Sequence, residues 1–206
     1  MSLDPDTAPS HWRDVYRRVP PDAVSWFRPR LDVSLELLAH AGFGAGSTII
    51  DVGGGASTLV DDCLALGASH VTVVDLADEA LAIARQRVGD DPRVTWRIGD
   101  ILAQPAPDHH DYWHDRAVLH FLDDDAAAAY ARNAALALST GAHAVIAGFA
   151  PDGPPRCSGL PVVRRDAAAI AEVLGDAFEL VDTRAELHRT PGGAAQSFAY
   201  ALLRRR

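Results

Sequence analysis

The sequence predicts an α/β protein, a three-layer sandwich built on a mostly parallel seven-stranded sheet with one antiparallel strand in a C-terminal hairpin. Three observations carry this. From about Ser47 onward, short β-branched apolar runs alternate with segments of helical period, the pattern of repeated strand–helix units. The first such run empties into a glycine-rich turn that opens a helix, as parallel α/β sheets do at a ligand-facing edge. The last two runs are separated only by the turn-rich His188-Arg189-Thr190-Pro191-Gly192-Gly193, too short for a crossover, so these two strands run antiparallel to each other. With 206 residues, 48% hydrophobic and 23% charged, the chain has the size and composition of one globular domain. Residues 1–46 read as a helical cap on the main body, residues 47–206.

In chain order, helices are expected at 12–18 and 31–41, separated by a loop holding Pro20, Pro21 and Pro29. Strands follow at 48–52, 71–75, 94–98, 111–115 and 142–149. Crossover helices lie between them at 58–66, 79–88 and 124–138, the last two with Asp78 and Asp123 as N-caps. Residues 149–161, rich in proline and glycine, are expected to form neither helix nor strand. A helix at 166–174 then leads into closing strands at 178–186 and 197–204. No internal repeat is visible.

Composition excludes several function classes. The net charge is -9 and both halves are acidic, so phosphate neutralisation, and with it nucleic-acid binding, is not expected. All 19 basic residues are arginine, which removes Schiff-base chemistry and a phosphate-loop lysine. No run approaches the roughly 18 apolar residues of a membrane helix, and the first ten residues are polar and acidic, unlike a signal peptide. A cytoplasmic protein with no membrane partner is the expectation. Two cysteines, Cys63 and Cys157, make neither a disulfide framework nor a thiolate zinc site. His109, His110 and His114, interleaved with Asp108, Asp111 and Asp115, invite a metal, but strand alternation points His109 away from the other two, so none is expected.

The segment that carries chemistry is Ile49-Ile50-Asp51-Val52-Gly53-Gly54-Gly55-Ala56-Ser57. Glycines there admit positive φ and close backbone approach, and the free N–H groups of the next helix face outward. A dinucleotide fingerprint would need its third glycine at Thr58 and would not place an acid at Asp51, which weighs against a nicotinamide oxidoreductase, the alternative from another class. Asp75 ends the second strand, where its two oxygens can accept from both hydroxyls of a ribose. Asp100 follows the third, where it can accept from an adenine amino group.

This row of acids, with Asp51-Val52-Gly53-Gly54-Gly55, resembles the class I S-adenosylmethionine-dependent methyltransferase family over residues 47–149. The resemblance implies a methyltransferase domain at 47–206 whose cofactor becomes S-adenosylhomocysteine. Gly53, Gly54, Gly55 and Ser57 would line its methionine end, with Ser57 where the family usually has a third glycine. Asp51 would reach its amino group through water, Asp75 with Leu76 would hold the ribose, and Asp100 with Ile101 would bracket adenine. The resemblance narrows to a subgroup with an N-terminal aromatic segment, matched by Trp12, Tyr16 and Trp26, which form either a flap over the sulfonium or core aromatics pinning the cap.

The fourth strand brings the acceptor side. If the acceptor arrives protonated, Asp115 and His114 are the expected bases by position, with His120 behind them either as a base or as packing beneath the site. Arg116 is expected to orient an acidic acceptor. Arg156 and Cys157, in the loop after the fifth strand, either flank the acceptor pocket or belong to a surface connection with a buried cysteine. His188 and Arg189 are expected to close the same mouth. Some subgroup members resemble protein-lysine methyltransferases, whose Asp-Lys-Gly is Asp115-Arg116-Ala117 here. The leading expectation is therefore a small-molecule acceptor, with protein-lysine methylation as runner-up and a cofactor-binding regulatory module as a third reading.

Overall fold

The computed structural model describes residues 7–103 and 109–206, and two helices, α1 (Ala8–Arg18) and α2 (Asp32–His40), precede its sheet. Then come β1 (Thr48–Val52), α3 (Leu59–Ala65), β2 (His70–Asp75), α4 (Asp78–Val88), β3 (Val94–Ile98), β4 (His110–Arg116), α5 (Asp124–Ala137) and β5 (Leu138–Phe149). The chain closes with β6 (Arg156–Cys157), β7 (Leu160–Pro161), α6 (Ala167–Leu174), β8 (Phe178–Arg189) and β9 (Ala195–Arg205). The expected Asp108 lies outside the described residues.

The seven-stranded sheet has the order β3-β2-β1-β4-β5-β9-β8. Strand β9 is antiparallel to both β5 and β8, so it is the one reversed strand and β8 runs with the parallel set. The order reverses between β1 and β4, and a crevice therefore opens beyond their carboxyl ends, where open α/β sheets bind ligands. Strand β1 is buried on both faces, with Ile49 and Ile50 fully inaccessible, which explains why it reads as a continuous apolar run rather than an alternation. One core packs α5 and α6 against the sheet; the other packs α2, through Leu35, Leu37 and Leu38, together with α3 against its opposite face.

Three local expectations change and one holds. Asp78 does not cap α4; Ala77 occupies that position, and its N–H donates to Asp75 Oδ1 at 2.8 Å. Asp123 does cap α5, accepting from Ala126 N–H at 3.2 Å. Residues 149–161 contain the β6–β7 hairpin, which turns through Ser158 and Gly159 at φ of 50° and 78°. Proline and glycine density hid so short a pair. Strand β8 extends through Arg189, which places His188 in a strand rather than in the turn, which starts at Thr190.

Behind the crevice, Tyr130 of α5 ties β4 together. Its hydroxyl donates to Asp115 Oδ2 and accepts from Trp113 Nε1–H, both at 2.7 Å, and all three side chains are buried. Replacing Tyr130 by Phe would strand the indole N–H and remove one donor from Asp115. This should lower unfolding free energy by about 2 kcal/mol in guanidinium titration, and an unchanged midpoint would contradict the role given to this hydroxyl.

Candidate functional site

The turn after β1 is built for close approach. Gly53 and Gly55 have φ of 68° and 46°. A Cβ at Gly53 would lie 2.2 Å from Val118 Cγ2, and one at Gly54 2.4 Å from Asp51 Oδ2, so neither position admits a side chain. A Cβ at Gly55 would sit 3.0 Å from Asp75 Oδ2 and 3.1 Å from the Tyr16 hydroxyl. That glycine is where the ends of β1 and β2 meet the cap. Ser57 accepts from Leu59 N–H at 3.1 Å, so it secures the start of α3 with the group that a third glycine would lack.

Beyond this turn a cavity of about 410 Å³ is lined by Val52, Gly53, Asp75, Leu76, Asp100 and Ile101, all at or just beyond the carboxyl ends of β1, β2 and β3. Its volume falls in the range of small-molecule and cofactor sites. Burial, reinforced by the nearby charge of Asp51, pushes the Asp75 carboxyl up to about 6, although backbone N–H groups of Ala77, Leu76 and Gly55 pull the other way. Asp100 Oδ1 accepts from Leu102 N–H at 2.8 Å. Asn133 of α5 donates to the carbonyls of Ile101 and Leu102 at 2.7 and 3.1 Å, which holds this loop in place.

The other walls come from the cap and the end of β4. Trp12, Tyr16, Trp26 and Phe121 all line the cavity. Trp12 meets Trp26 and Phe121 edge to face at 5.7 and 5.2 Å between ring centres, and Tyr16 meets Trp26 at 6.2 Å. Burial and the charge of Asp75 push the Tyr16 phenol upward, so it is a neutral donor. A smaller recess of about 60 Å³ adjoins, lined by Asp51, Gly54, Ser57, His114 and Arg28, and it shares Tyr16, Trp26, Gly53 and Arg116 with the larger cavity. The aromatics of the cap thus pack on one another and line the cavity.

Arg116 lines both spaces with its side chain only 6% exposed. It donates from Nε to the Tyr200 hydroxyl at 3.0 Å and from Nη1 to the Trp26 carbonyl at 3.1 Å. Its guanidinium lies over Phe198, 4.4 Å from the ring centre, and 3.7 Å from Glu186 Oε2.

Of the side chains expected as bases, His114 lines the smaller recess, whereas Asp115 and His120 line neither space. Asp115 is fully buried and accepts from Val118 N–H, Leu119 N–H and Tyr130, so it caps the 3-10 turn Leu119–Phe121 and does not line the cavity. Burial raises its carboxyl to about 6. His120 packs beneath, edge to face on Phe121 and against Phe149; burial, with Arg116 and Arg165 nearby, lowers it to about 3. His114 contacts Asp51 Oδ1 through Nδ1 at 2.7 Å and Ser34 Oγ through Nε2 at 2.9 Å, so it orients Asp51 from inside the sheet. Arg156 is exposed and donates twice to the Gly159 carbonyl across the β6–β7 turn, away from the cavity. Its neighbour Cys157 does line the cavity, with burial pushing its thiol up to about 12. His188 is fully buried and Arg189 is exposed, and neither lines the cavity or the recess. His110, at the amino end of β4, contacts Thr72 at 3.1 Å, and His109 precedes the strand.

Sequence reasoning missed Ala117, Val118, Phe121 and Ser34. An apolar residue after a strand and a serine among leucines carry no chemical mark in a single sequence.

Residues 49–141 match the family model described as a methyltransferase domain. No curated protein sequence matches the chain. Among solved structures, the N-methyltransferase NodS from Bradyrhizobium japonicum WM9, in complex with S-adenosyl-L-homocysteine, is similar with a TM-score of 0.73 at 18% identity, covering 95% of this chain and 98% of that one. The S-adenosylmethionine-dependent methyltransferase from Anabaena variabilis ATCC 29413 gives 0.77 at 15% identity, covering 100% and 98%. Magnesium protoporphyrin IX methyltransferase (ChlM) from Synechocystis PCC 6803 with bound S-adenosylmethionine gives 0.71 at 18%, covering 100% and 99%. At such identities the likeness is one of fold.

Ala117 takes a φ of 83° where β4 meets the cavity, a conformation that suits glycine better than an L residue. Ala117→Gly should therefore raise unfolding free energy by about 1 kcal/mol. A drop in thermal midpoint would show that the methyl group's packing outweighs the backbone strain.

Proposed function

We propose that the chain, whose residues 49–141 match a methyltransferase domain, is a class I, S-adenosylmethionine-dependent methyltransferase that moves the cofactor's methyl group to a small-molecule acceptor held under the aromatic cap. The observation that carries the reading is that one cavity runs from Asp75 and Asp100 to a wall of Trp12, Trp26, Phe121, Arg116 and Cys157. A protein substrate calls for an open groove, whereas here Trp12, Tyr16 and Trp26 of the cap wall the space beside the glycine turn. One structure of the same fold belongs to a protein whose name gives magnesium protoporphyrin IX as its substrate, a small molecule.

The residues fit the cofactor. Gly55 leaves open the space between Asp75 and Tyr16 that a Cβ would fill, at the place where a ribose would pass. Asp75 would accept from the ribose hydroxyls, Asp100 and Ile101 would flank adenine, and Gly53, Gly54 and Ser57 would line the amino-acid end, with Asp51 turned toward it by His114. When bound, S-adenosylmethionine supplies an electrophilic methyl on a sulfonium, which an acceptor takes by in-line displacement. The chain's part is alignment and exclusion of water. Trp12 and Trp26 present ring faces and edges that suit a cation next to an apolar acceptor, and Arg116 sets the acceptor's orientation. Since Asp115 and His120 do not line the cavity and His114 serves Asp51, we assign them positioning roles rather than proton removal. Among the described residues no helix is long and apolar enough to cross a membrane. The two cysteines are buried and unpaired, which fits the reducing cytoplasm that we propose as its compartment.

Two tests follow. With methyl-labelled cofactor and a cell extract, label should accumulate in the solvent-soluble small-molecule fraction; label in precipitated protein would favour the lysine reading instead. The acid row gives a pH dependence. Asp75 accepts hydrogen bonds as a carboxylate and titrates near 6, so affinity for S-adenosylhomocysteine should be flat above about pH 7 and weaken by up to about tenfold per unit below pH 6. Affinity that stays level down to pH 5 would show that Asp75 does not hold the ribose.

A further inference from the structure

His188 is far from the glycine turn in sequence and does not line the cavity, yet it is fully buried and its Nε2 lies 2.7 Å from the carbonyl oxygen of Ser25. A carbonyl only accepts, so Nε2 carries the proton and the ring is the Nε2–H tautomer. Its Nδ1 is buried without a hydrogen-bond partner, and the ring stands edge to face on Phe198 at 5.9 Å. Burial is the main influence on this imidazole and holds it below its ordinary range, which keeps it neutral. One residue further along the cap, the Trp26 carbonyl accepts from Arg116 Nη1 at 3.1 Å, and Arg28 Nε lies 3.4 Å from Glu186 Oε1. Groups from β4 and β8 therefore grip three positions of the stretch 25–28. Only one of its side chains, the Trp26 indole, walls both the larger cavity and the smaller recess.

Resting on the methyltransferase reading above, we propose that His188 is a positioning residue for this site: through its bond to the Ser25 carbonyl it sets the Trp26 indole as the partition between the adenosine-side cavity and the recess beside Asp51. A ligand that spans both spaces then depends on His188 without touching it. A ligand confined to the larger cavity depends on it much less.

The amide nitrogen of Gln superposes on Nε2 of His and that of Asn on Nδ1, so His188→Gln keeps the donor and His188→Asn moves it out of reach. Calorimetric titration of the full chain with S-adenosylhomocysteine and with adenosine reads the difference. His188→Asn should weaken S-adenosylhomocysteine by about tenfold and adenosine by less than about threefold, while His188→Gln stays within about threefold of wild type for both. In a Trp26→Ala background the change at 188 should lose its effect, since the partition is gone. If His188→Asn does not fold, His188→Leu removes the donor among apolar neighbours and takes its place. Equal losses for both ligands, no loss for either, or a Gln variant as weak as Asn would overturn the proposal. Wild-type protein that binds adenosine but not S-adenosylhomocysteine would overturn the methyltransferase reading instead.

Discussion

The absence of room for a side chain at Gly53 and Gly54 governs the rest of the site. Val118 fills the space over the first, and Asp51 with Val73 fills the space beside the second. Backbone therefore passes where the sheet order reverses between β1 and β4, and a ligand can approach the carboxyl ends of both strands. The same close packing aims Asp51. Its carboxylate is held by His114, and His114 by Ser34 of α2, so one buried chain of hydrogen bonds links β1, β4 and the cap. Asp75 reaches the same turn from β2 and meets Tyr16 of α1 across Gly55. Cap and sheet thus share one junction, and the cavity lies beside it.

Much of this was legible in the chain because it rests on local rules. Continuous apolar runs, a helix cap at Asp123 and the turn-rich link before the last strand give the sheet, its direction and its reversed strand. Three acids at corresponding strand ends, with Gly53 and Gly54, pick out residues that line the cavity or its recess. The cavity's lining includes Asp75, Asp100, Gly53, Trp12, Tyr16 and Trp26 among the residues singled out beforehand.

What sequence did not disclose depends on direction and on distant partners. Asp115 and His114 are adjacent in β4, so their side chains leave opposite faces of the sheet: one enters the core against Tyr130, the other meets Asp51. Neither orientation follows from proximity to the expected reacting centre. His188 looked like part of a turn because proline and glycines follow it, but pairing with β9 carries the strand through it. Its partner, the Ser25 carbonyl, is a backbone group, and backbone acceptors leave no trace in residue identity. Arg116, singled out for the acceptor, lines the cavity, and its hold on the Trp26 carbonyl and on Tyr200 also makes it a tether of the cap.

On the proposed reading, the strand-end acids and the glycine turn hold S-adenosylmethionine and not a nicotinamide cofactor. Calorimetric titration of the purified chain with S-adenosylhomocysteine and with NADH, alongside Asp75→Ala, tests it most directly. Dissociation constants on the order of micromolar are expected for S-adenosylhomocysteine alone, with binding lost in the variant. Binding of NADH, or no heat from either ligand, would contradict it.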